Sequence, residues 1–193
     1  MTDQALTGGA EAPTPRFHAM TEGTEAQWRQ IARADAQFAR QLPAALLQQL
    51  ELLRNDCHAF AVDRLEHCLQ AATRAHRAGE DDEYVVCALL HDVGALMAPS
   101  GHAKFAAMIL RPYVSDENHW MVLNHNLFQQ YYFAHFFGGD RNAREKHRGH
   151  ACFERTAKFC HLYDQNSFDP GYDSMPLEAF APMLHRVLGK RRG

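Results

Sequence analysis

Apolar residues recur along most of the chain at the three-to-four-residue spacing of amphipathic helices, and the alternation typical of strands is weak. A clear stripe of this kind is formed by Leu65, Cys68, Leu69, Ala72 and Ala75. Capping and stop residues divide the pattern and predict eight helices, at about residues 24–41, 43–54, 63–79, 83–93, 100–110, 115–136, 152–163 and 176–188. The pattern therefore predicts an all-α fold.

The fourth predicted helix differs from the others because its run Tyr84–Leu90 is apolar on every side. Such a helix is expected to be central and buried. Two polar residues, His91 and Asp92, follow this run directly. A carboxylate there faces the negative end of the helix dipole, and burial adds to the cost of its charge. We expect a compensating cation, either a metal or an arginine, unless this end of the helix is exposed.

The composition narrows the class of protein further. The length of 193 residues fits one domain, expected over residues 17–193 with a helical extension at its start, and a disordered tail over residues 1–16. A net charge of −3 argues against a nucleic-acid partner, and no apolar run is long enough to span a membrane. Five cysteines without a CxxC pair are typical of reduced thiols and a cytoplasmic location.

Histidine is unusually frequent, with 13 residues, and it is the commonest metal ligand. His67 lies outside the apolar stripe of the third helix, so it is either exposed or on a second face that approaches the fourth helix. His102 opens the fifth predicted helix and His125 lies within the sixth. Asp164 follows an apolar stripe of the seventh. Taken singly, each of these residues is better explained as an ordinary surface or core residue.

Taken together, the order His67, His91-Asp92, His102, His125, Asp164 resembles that of the HD-domain superfamily. More closely, it is similar to the mixed-valent diiron oxygenases of that superfamily, which include myo-inositol oxygenase and the organophosphonate oxygenases that act on 1-hydroxyalkylphosphonates. The resemblance covers about residues 60–188 and is carried by the stretches LEHCLQAATRAHRAG, VVCALLHDVG, NHNLFQQYYFAHFFGGDRN and FCHLYDQNSFDP.

The resemblance implies that these six residues bind two iron ions, Fe(II) and Fe(III), and that the Asp92 carboxylate bridges them. It places His67 and His91 on one metal and His102 and His125 on the other, with His91 and Asp92 at the catalytic centre. It further implies O₂ as co-substrate and a small anionic substrate whose carbon–phosphorus bond is cleaved. Mononuclear HD phosphohydrolases need only the first histidine, the His-Asp pair and the last aspartate.

Some positions depart from the family pattern. Ala95 stands where an acidic residue often follows, and Gln129 stands where some relatives place a lysine for the substrate anion. Gln129 lies one turn after His125, where it could contact substrate or form a core hydrogen bond. Lys104 and Arg141 are the other candidates for an anionic group.

Glu22, before the first helix, is a candidate for a cationic group of the substrate. Two alternatives to the oxygenase stay open on sequence alone. One is a metal-dependent HD phosphohydrolase, and the other is a metal-binding module without turnover.

Overall fold

The computed structural model describes residues 14–55 and 59–192. In these ranges the protein has eight α-helices, short 3₁₀ segments and no strand, so the predicted all-α fold is confirmed. The chain divides into two compact units, with the boundary between Gln41 and Leu42. Most of the tail expected over residues 1–16 lies outside the described residues.

The first unit contains a 3₁₀ turn, Met20–Glu22, and helix α1, Glu25–Ala39. As predicted, α1 begins after Thr24, whose hydroxyl accepts a hydrogen bond from the Gln27 backbone N–H. The Gln27 side chain accepts one in return from the Thr24 N–H at 2.9 Å, which completes a capping box.

The second unit holds the other seven helices and the core. They are α2 Leu42–Glu51, α3 Arg64–Arg77, α4 Asp82–Leu90, α5 His102–Leu110, α6 Asp116–Phe133, α7 Phe153–Phe159 and α8 Leu177–Leu188. Short 3₁₀ segments cover Ala134–Phe137 and Ala143–His147, and a π-helical turn covers Cys160–Asp164. No helix in the described ranges is both long and apolar enough to cross a membrane.

The predicted caps start three of these helices. The side chains of Asp63, Asp81 and Ser115 accept hydrogen bonds from the backbone N–H three residues later, which satisfies one free donor at each helix start. Gly79 follows the end of α3 with a positive φ of 80°, a conformation that favours glycine.

Helix α4 is the centre of the core, as its apolar run predicts. Every residue from Tyr84 to Leu90 is buried, and α4 packs against α3, α6 and α8. Its C-terminal end therefore lies deep in the protein, and so do His91 and Asp92, which follow it. The exposed-end alternative for this His-Asp pair is wrong.

Several boundaries differ from the predicted ones. Helix α4 ends at Leu90 rather than Val93, and the Gly94 that follows is in close contact with α5. A Cβ atom added at Gly94 would lie 2.7 Å from Phe105 Cδ1, so only glycine allows this approach. The seventh helix gives way to the π-helical turn that carries Asp164, and π turns occur often at functional sites.

Candidate metal centre

A small cavity of about 190 Å³ lies in the second unit, beside the end of α4. It is lined by Phe60, Val62, Asp63, Arg64, His67, Asp92, His102, His125, Asn126, Gln129, Phe133, Asp164 and Phe168. Five of the six residues predicted as metal ligands line it, and the sixth, His91, is buried directly behind them. The fold thus brings together side chains that span almost a hundred residues of sequence.

One group of ligand atoms is formed by His67, His91 and Asp164. The Oδ1 atom of Asp164 lies 3.3 Å from His67 Nε2 and 3.8 Å from His91 Nε2. The two imidazole nitrogens are themselves 3.0 Å apart. All three side chains are buried, and α3, the end of α4 and the π-helical turn each supply one of them.

A second group is built around the carboxylate of Asp92. Its Oδ1 atom lies 3.2 Å from His102 Nε2 and 3.4 Å from His125 Nε2. Its Oδ2 atom lies on the side of the first group, 4.0 Å from His67 Nε2. Oδ1 also lies 3.9 Å from His91 Nε2, and His91, Asp92 and His125 form a second set of mutually close ligand atoms. The carboxylate therefore has imidazoles of both groups within 4.0 Å.

The four histidines share one hydrogen-bonding arrangement. Each Nδ1 atom lies within 3.0 Å of a backbone carbonyl oxygen, and the partners are Ser167, Ala88, Pro99 and Val122 for His67, His91, His102 and His125 in turn. Because a carbonyl oxygen can only accept, each Nδ1 must carry the proton. In the neutral form, each Nε2 then has its lone pair toward the centre, and such fixed tautomers are usual for histidines that bind metals.

The imidazole nitrogens and carboxylate oxygens of the centre would be better satisfied by a bound cation than by contacts with one another. In their neutral forms, His67 and His91 bring two Nε2 lone pairs to 3.0 Å from each other without a proton to share. The Oδ2 atom of Asp164 is buried and has no hydrogen-bond partner among the described residues. Buried charge of this kind is costly unless it is paired or coordinates a metal, so the donor set suits bound metal ions.

The pKa shifts at the centre favour the ionised form of both carboxylates, Asp92 and Asp164. Burial raises the pKa of Asp92, but the neighbouring His91 and His125 outweigh it and hold the pKa well below its ordinary value. Burial likewise opposes ionisation of Asp164, and His67 and His91 lower its pKa despite that. Burial lowers the pKa of His91 to about 4, so this imidazole is neutral near pH 7, as a metal ligand must be.

Arg64 is a polar residue of the site that the sequence analysis missed. It lines the cavity, and its Nη1 atom lies 3.1 Å from Oδ2 of Asp92. It precedes His67 by three residues, which places both on one face of α3. Its spacing of three residues before the first histidine could have identified Arg64 from the sequence. The sequence predicted either a metal or an arginine as the cation near Asp92, and an arginine does lie there.

The candidates for substrate binding are more scattered. Gln129 lines the cavity and donates a hydrogen bond from Nε2 to Oδ1 of Asp164 at 2.8 Å. Lys104 is exposed on α5, and the guanidinium of Arg141 stacks over the Tyr131 ring at 4.4 Å, so neither lines this cavity. In the first unit, the Glu22 carboxylate accepts a hydrogen bond from the His18 N–H.

Fold and site together define an all-α protein with a buried histidine–aspartate centre. The family profile described as "HD domain" matches residues 64–163, which is more than half of the chain, so this protein belongs to the HD-domain family. The matched range contains five of the six candidate ligands and ends one residue before Asp164. No curated protein matches the chain. The family and the buried centre indicate a metal-dependent enzyme of the HD type.

Proposed function

We propose that this protein is a non-haem diiron oxygenase that uses O₂ to oxidise and cleave a small hydroxylated anion. The substrate class we propose is a 1-hydroxyalkylphosphonate, whose carbon–phosphorus bond is broken. His67, His91 and Asp164 would hold one metal, His102 and His125 the other, and Asp92 would bridge the pair.

The observation that carries the proposal is the position of the Asp92 carboxylate among all four imidazoles. Oδ1 lies 3.2 Å from His102 Nε2, 3.4 Å from His125 Nε2 and 3.9 Å from His91 Nε2, and Oδ2 lies 4.0 Å from His67 Nε2. A carboxylate arranged in this way suits a bridge between two ions, and paired metals in such sites lie roughly 4 Å apart. A mononuclear centre would leave His102 and His125 without a role.

The donor set favours iron over the hard divalent ions. Four imidazoles and two carboxylates suit first-row transition metals such as iron, whereas Mg²⁺ prefers an oxygen-rich set. Two iron ions, when bound, supply the ability to activate O₂ and to accept electrons from the substrate. The carboxylates of Asp92 and Asp164 contribute −2 of charge, which leaves the loaded centre cationic and attractive to an anion.

Arg64 offers a positive charge to the substrate anion, which in some relatives is provided by a lysine at the position of Gln129. Its guanidinium lies at the cavity wall, next to Asp92, and a planar guanidinium suits the paired oxygens of a phosphonate or a carboxylate. We therefore assign the binding of the substrate anion to Arg64 rather than to Lys104 or Arg141, which lie outside the cavity lining.

The overall reaction balances without a further co-substrate. A 1-hydroxyalkylphosphonate and one O₂ give a carboxylic acid and phosphate, and the carbon that carries the hydroxyl loses the four electrons that O₂ takes up. The cavity is lined by the aromatic rings of Phe60, Phe133 and Phe168, of which Phe60 and Phe133 are also partly exposed to solvent.

The test combines metal analysis with gas uptake. Protein purified without oxygen should hold about two iron ions per chain and give an electron paramagnetic resonance signal of a mixed-valent pair. With a hydroxyalkylphosphonate, O₂ uptake should match phosphate release one to one.

Arg64→Ala should raise KM at least tenfold, since it removes a charge-assisted contact worth about 1.5–3 kcal/mol, whereas the matched Lys104→Ala should leave KM unchanged. Metal-dependent hydrolysis of phosphoesters under nitrogen, without O₂ uptake, would instead support the phosphohydrolase.

A further inference from the structure

The segment between the π-helical turn and α8 is hydrogen-bonded along one face of α3. The side chains on α3 that bind it recur every three or four residues, which places them in one row on the helix surface. The pairs are Glu66 with Ser174, Gln70 with Asp169, Thr73 with Met175 and Arg77 with Asp173. The metal-ligand candidate His67 lies on the same helix, next to this row.

Gln70 is fully buried, and every hydrogen-bonding atom of its side-chain amide has a partner. Nε2 donates to the Asp169 carbonyl at 2.7 Å and to Oε1 of Glu66 at 3.0 Å. Oε1 accepts a hydrogen bond from the Asp169 N–H at 3.2 Å. A reversed amide would place its oxygen against two acceptors, so this orientation is the one that chemistry allows. One side chain therefore binds both backbone groups of Asp169.

The residues just before Asp169 hold the imidazole of His67. The Ser167 carbonyl lies 3.0 Å from His67 Nδ1, and the Phe168 ring stacks on the imidazole with the two centroids 4.5 Å apart. The Ser167 N–H donates to the backbone carbonyl of Asp164 at 3.0 Å. This short stretch of chain thus carries one candidate ligand at its start and the groups that orient another candidate ligand in its middle.

A carbonyl that orients a ligand histidine fixes its tautomer and its direction, and losing such a partner typically weakens metal binding tenfold to a hundredfold. The Ser167 carbonyl is a backbone group, so its position depends on what holds the segment. Gln70 binds the segment at Asp169, two residues from Ser167. Thr73 binds it at Met175, eight residues from Ser167. Gln70 is therefore the better placed of the two to control the histidine.

We propose that Gln70 is a positioning residue for the metal bound by the first group of ligands. It acts by holding the Ser167 carbonyl and the Phe168 ring in place against the imidazole of His67. Gln70 is not among the residues that line the cavity, so it acts through His67 and not by contact with substrate. The proposal rests on the metal centre of the proposed function and is independent of the reaction that the metals support.

The test measures Co²⁺ binding to metal-free protein under nitrogen, by the absorption of the bound ion, so no turnover is needed. Co²⁺ follows Fe²⁺ in the order of affinity for such ligands. The background variant is His102→Ala, in which a metal is expected only at the first group. There Gln70→Met, which removes all three hydrogen bonds of the amide, should raise the dissociation constant roughly tenfold to a hundredfold.

Two controls separate positioning from a general loss of stability. Thr73→Val removes a hydrogen bond between the same helix and the same segment, at an equally buried position. It should leave the dissociation constant unchanged. In a His67→Ala background, where Co²⁺ is expected at the second group, Gln70→Met should also have no effect, because Gln70 acts through His67.

The role of Gln70 would be overturned by equal weakening in Gln70→Met and Thr73→Val, or by equal weakening in the two backgrounds. If Gln70→Met does not fold, Gln70→Asn decides instead, because it keeps a buried amide but shortens its reach to Asp169. An unchanged dissociation constant in that variant would also overturn the role.

These outcomes are distinguishable from a failure of the proposed function. Absence of O₂ uptake would refute the oxygenase, while weaker Co²⁺ binding in Gln70→Met would still support the role of Gln70. Absence of Co²⁺ binding to His102→Ala protein would refute the division of the metals between the two groups, and the role of Gln70 with it.

Discussion

The two halves of the candidate centre are built in different ways. In the half around His67, His91 and Asp164, every side chain is buried, and His67 is held by the carbonyl of Ser167, one hundred residues away in sequence. The half around His102 and His125 comes from the consecutive helices α5 and α6. The His102 side chain is 15% exposed and borders the cavity.

The first half is therefore part of the protein core, whereas His102 of the second half lies nearer the surface. The first half depends on long-range packing around α4, so its loss should disturb the fold as well as the metal. In the second half, His102 depends on the position of α5, so its contribution should be removable while the remainder of the site survives. His91 has ligand atoms of both halves close to it, and the Asp92 carboxylate has imidazoles of both halves within 4.0 Å. Because Asp92 carries the charge between them, its removal should have the largest effect.

We expect Asp92→Ala to lose both metals and to destabilise the protein by about 3–5 kcal/mol, the usual cost of removing one partner from a buried charged cluster. Metal analysis and denaturant unfolding would measure the two effects. Asp164→Ala is the matched comparison, because its carboxylate faces only the first half. An Asp92→Ala variant that kept its full metal content would contradict the bridging role.

The division of the histidines is the next test. His102→Ala should lower the occupancy of the second metal and leave a mononuclear centre, while His67→Ala should act on the first metal. Metal content per chain, with the mixed-valent resonance signal lost in both variants, would measure this. If every single histidine variant lost both metals to the same extent, the two halves would be one cooperative unit.

Gly94→Ala tests whether the second half depends on α5. The added methyl would meet the Phe105 ring at 2.7 Å and push α5, with His102, away from Asp92. We expect a loss of about 1–3 kcal/mol of stability, as for other overpacked sites. The second metal should be bound more weakly and the first unchanged. Gly101→Ala is the control, since a Cβ there meets nothing closer than 3.9 Å.

Much of this architecture could be predicted from the sequence, because its local signals are strong. Thr24, Asp63, Asp81 and Ser115 cap the helices that they were predicted to cap. The apolar run in α4 placed the His-Asp pair in the core. The second-face alternative for His67 is confirmed, since the residue is buried against His91.

Other features depend on tertiary contacts that no local pattern encodes. The carbonyls that hold the four Nδ1 atoms are backbone groups, and any residue could supply them. The π-helical turn at Asp164 and the 3₁₀ segment Ala143–His147 have no distinct periodicity in sequence. Lys104 was a candidate for binding an anionic group, but its position on α5 is exposed. In contrast, Arg64 reaches the cavity because it shares a helical face with His67.

The smallest expected effect concerns Glu83, which links α4, the helix that precedes His91, to α6, the helix that carries His125. Its Oε1 on α4 accepts hydrogen bonds from the Ser115 N–H at 2.6 Å and from Asn118 Nδ2 at 2.7 Å, at the start of α6. Its Oε2 pairs with Arg192. Burial raises the pKa of Glu83, but these donors outweigh it and lower the pKa below its ordinary value.

A lowered pKa means that the ionised carboxylate stabilises the fold above the pKa of the unfolded chain, and that this stability is lost as pH falls through the folded pKa. We therefore expect Glu83→Gln to cost about 1–2 kcal/mol at pH 7, and the difference from wild type should shrink below about pH 4. Urea unfolding of metal-free protein across this range would measure it, so that metal release does not contribute. Glu117→Gln removes the same charge from an exposed position on α6 and should change stability by only a few tenths of a kcal/mol. An equal loss in both variants would mean that net charge, rather than the link between α4 and α6, sets the effect.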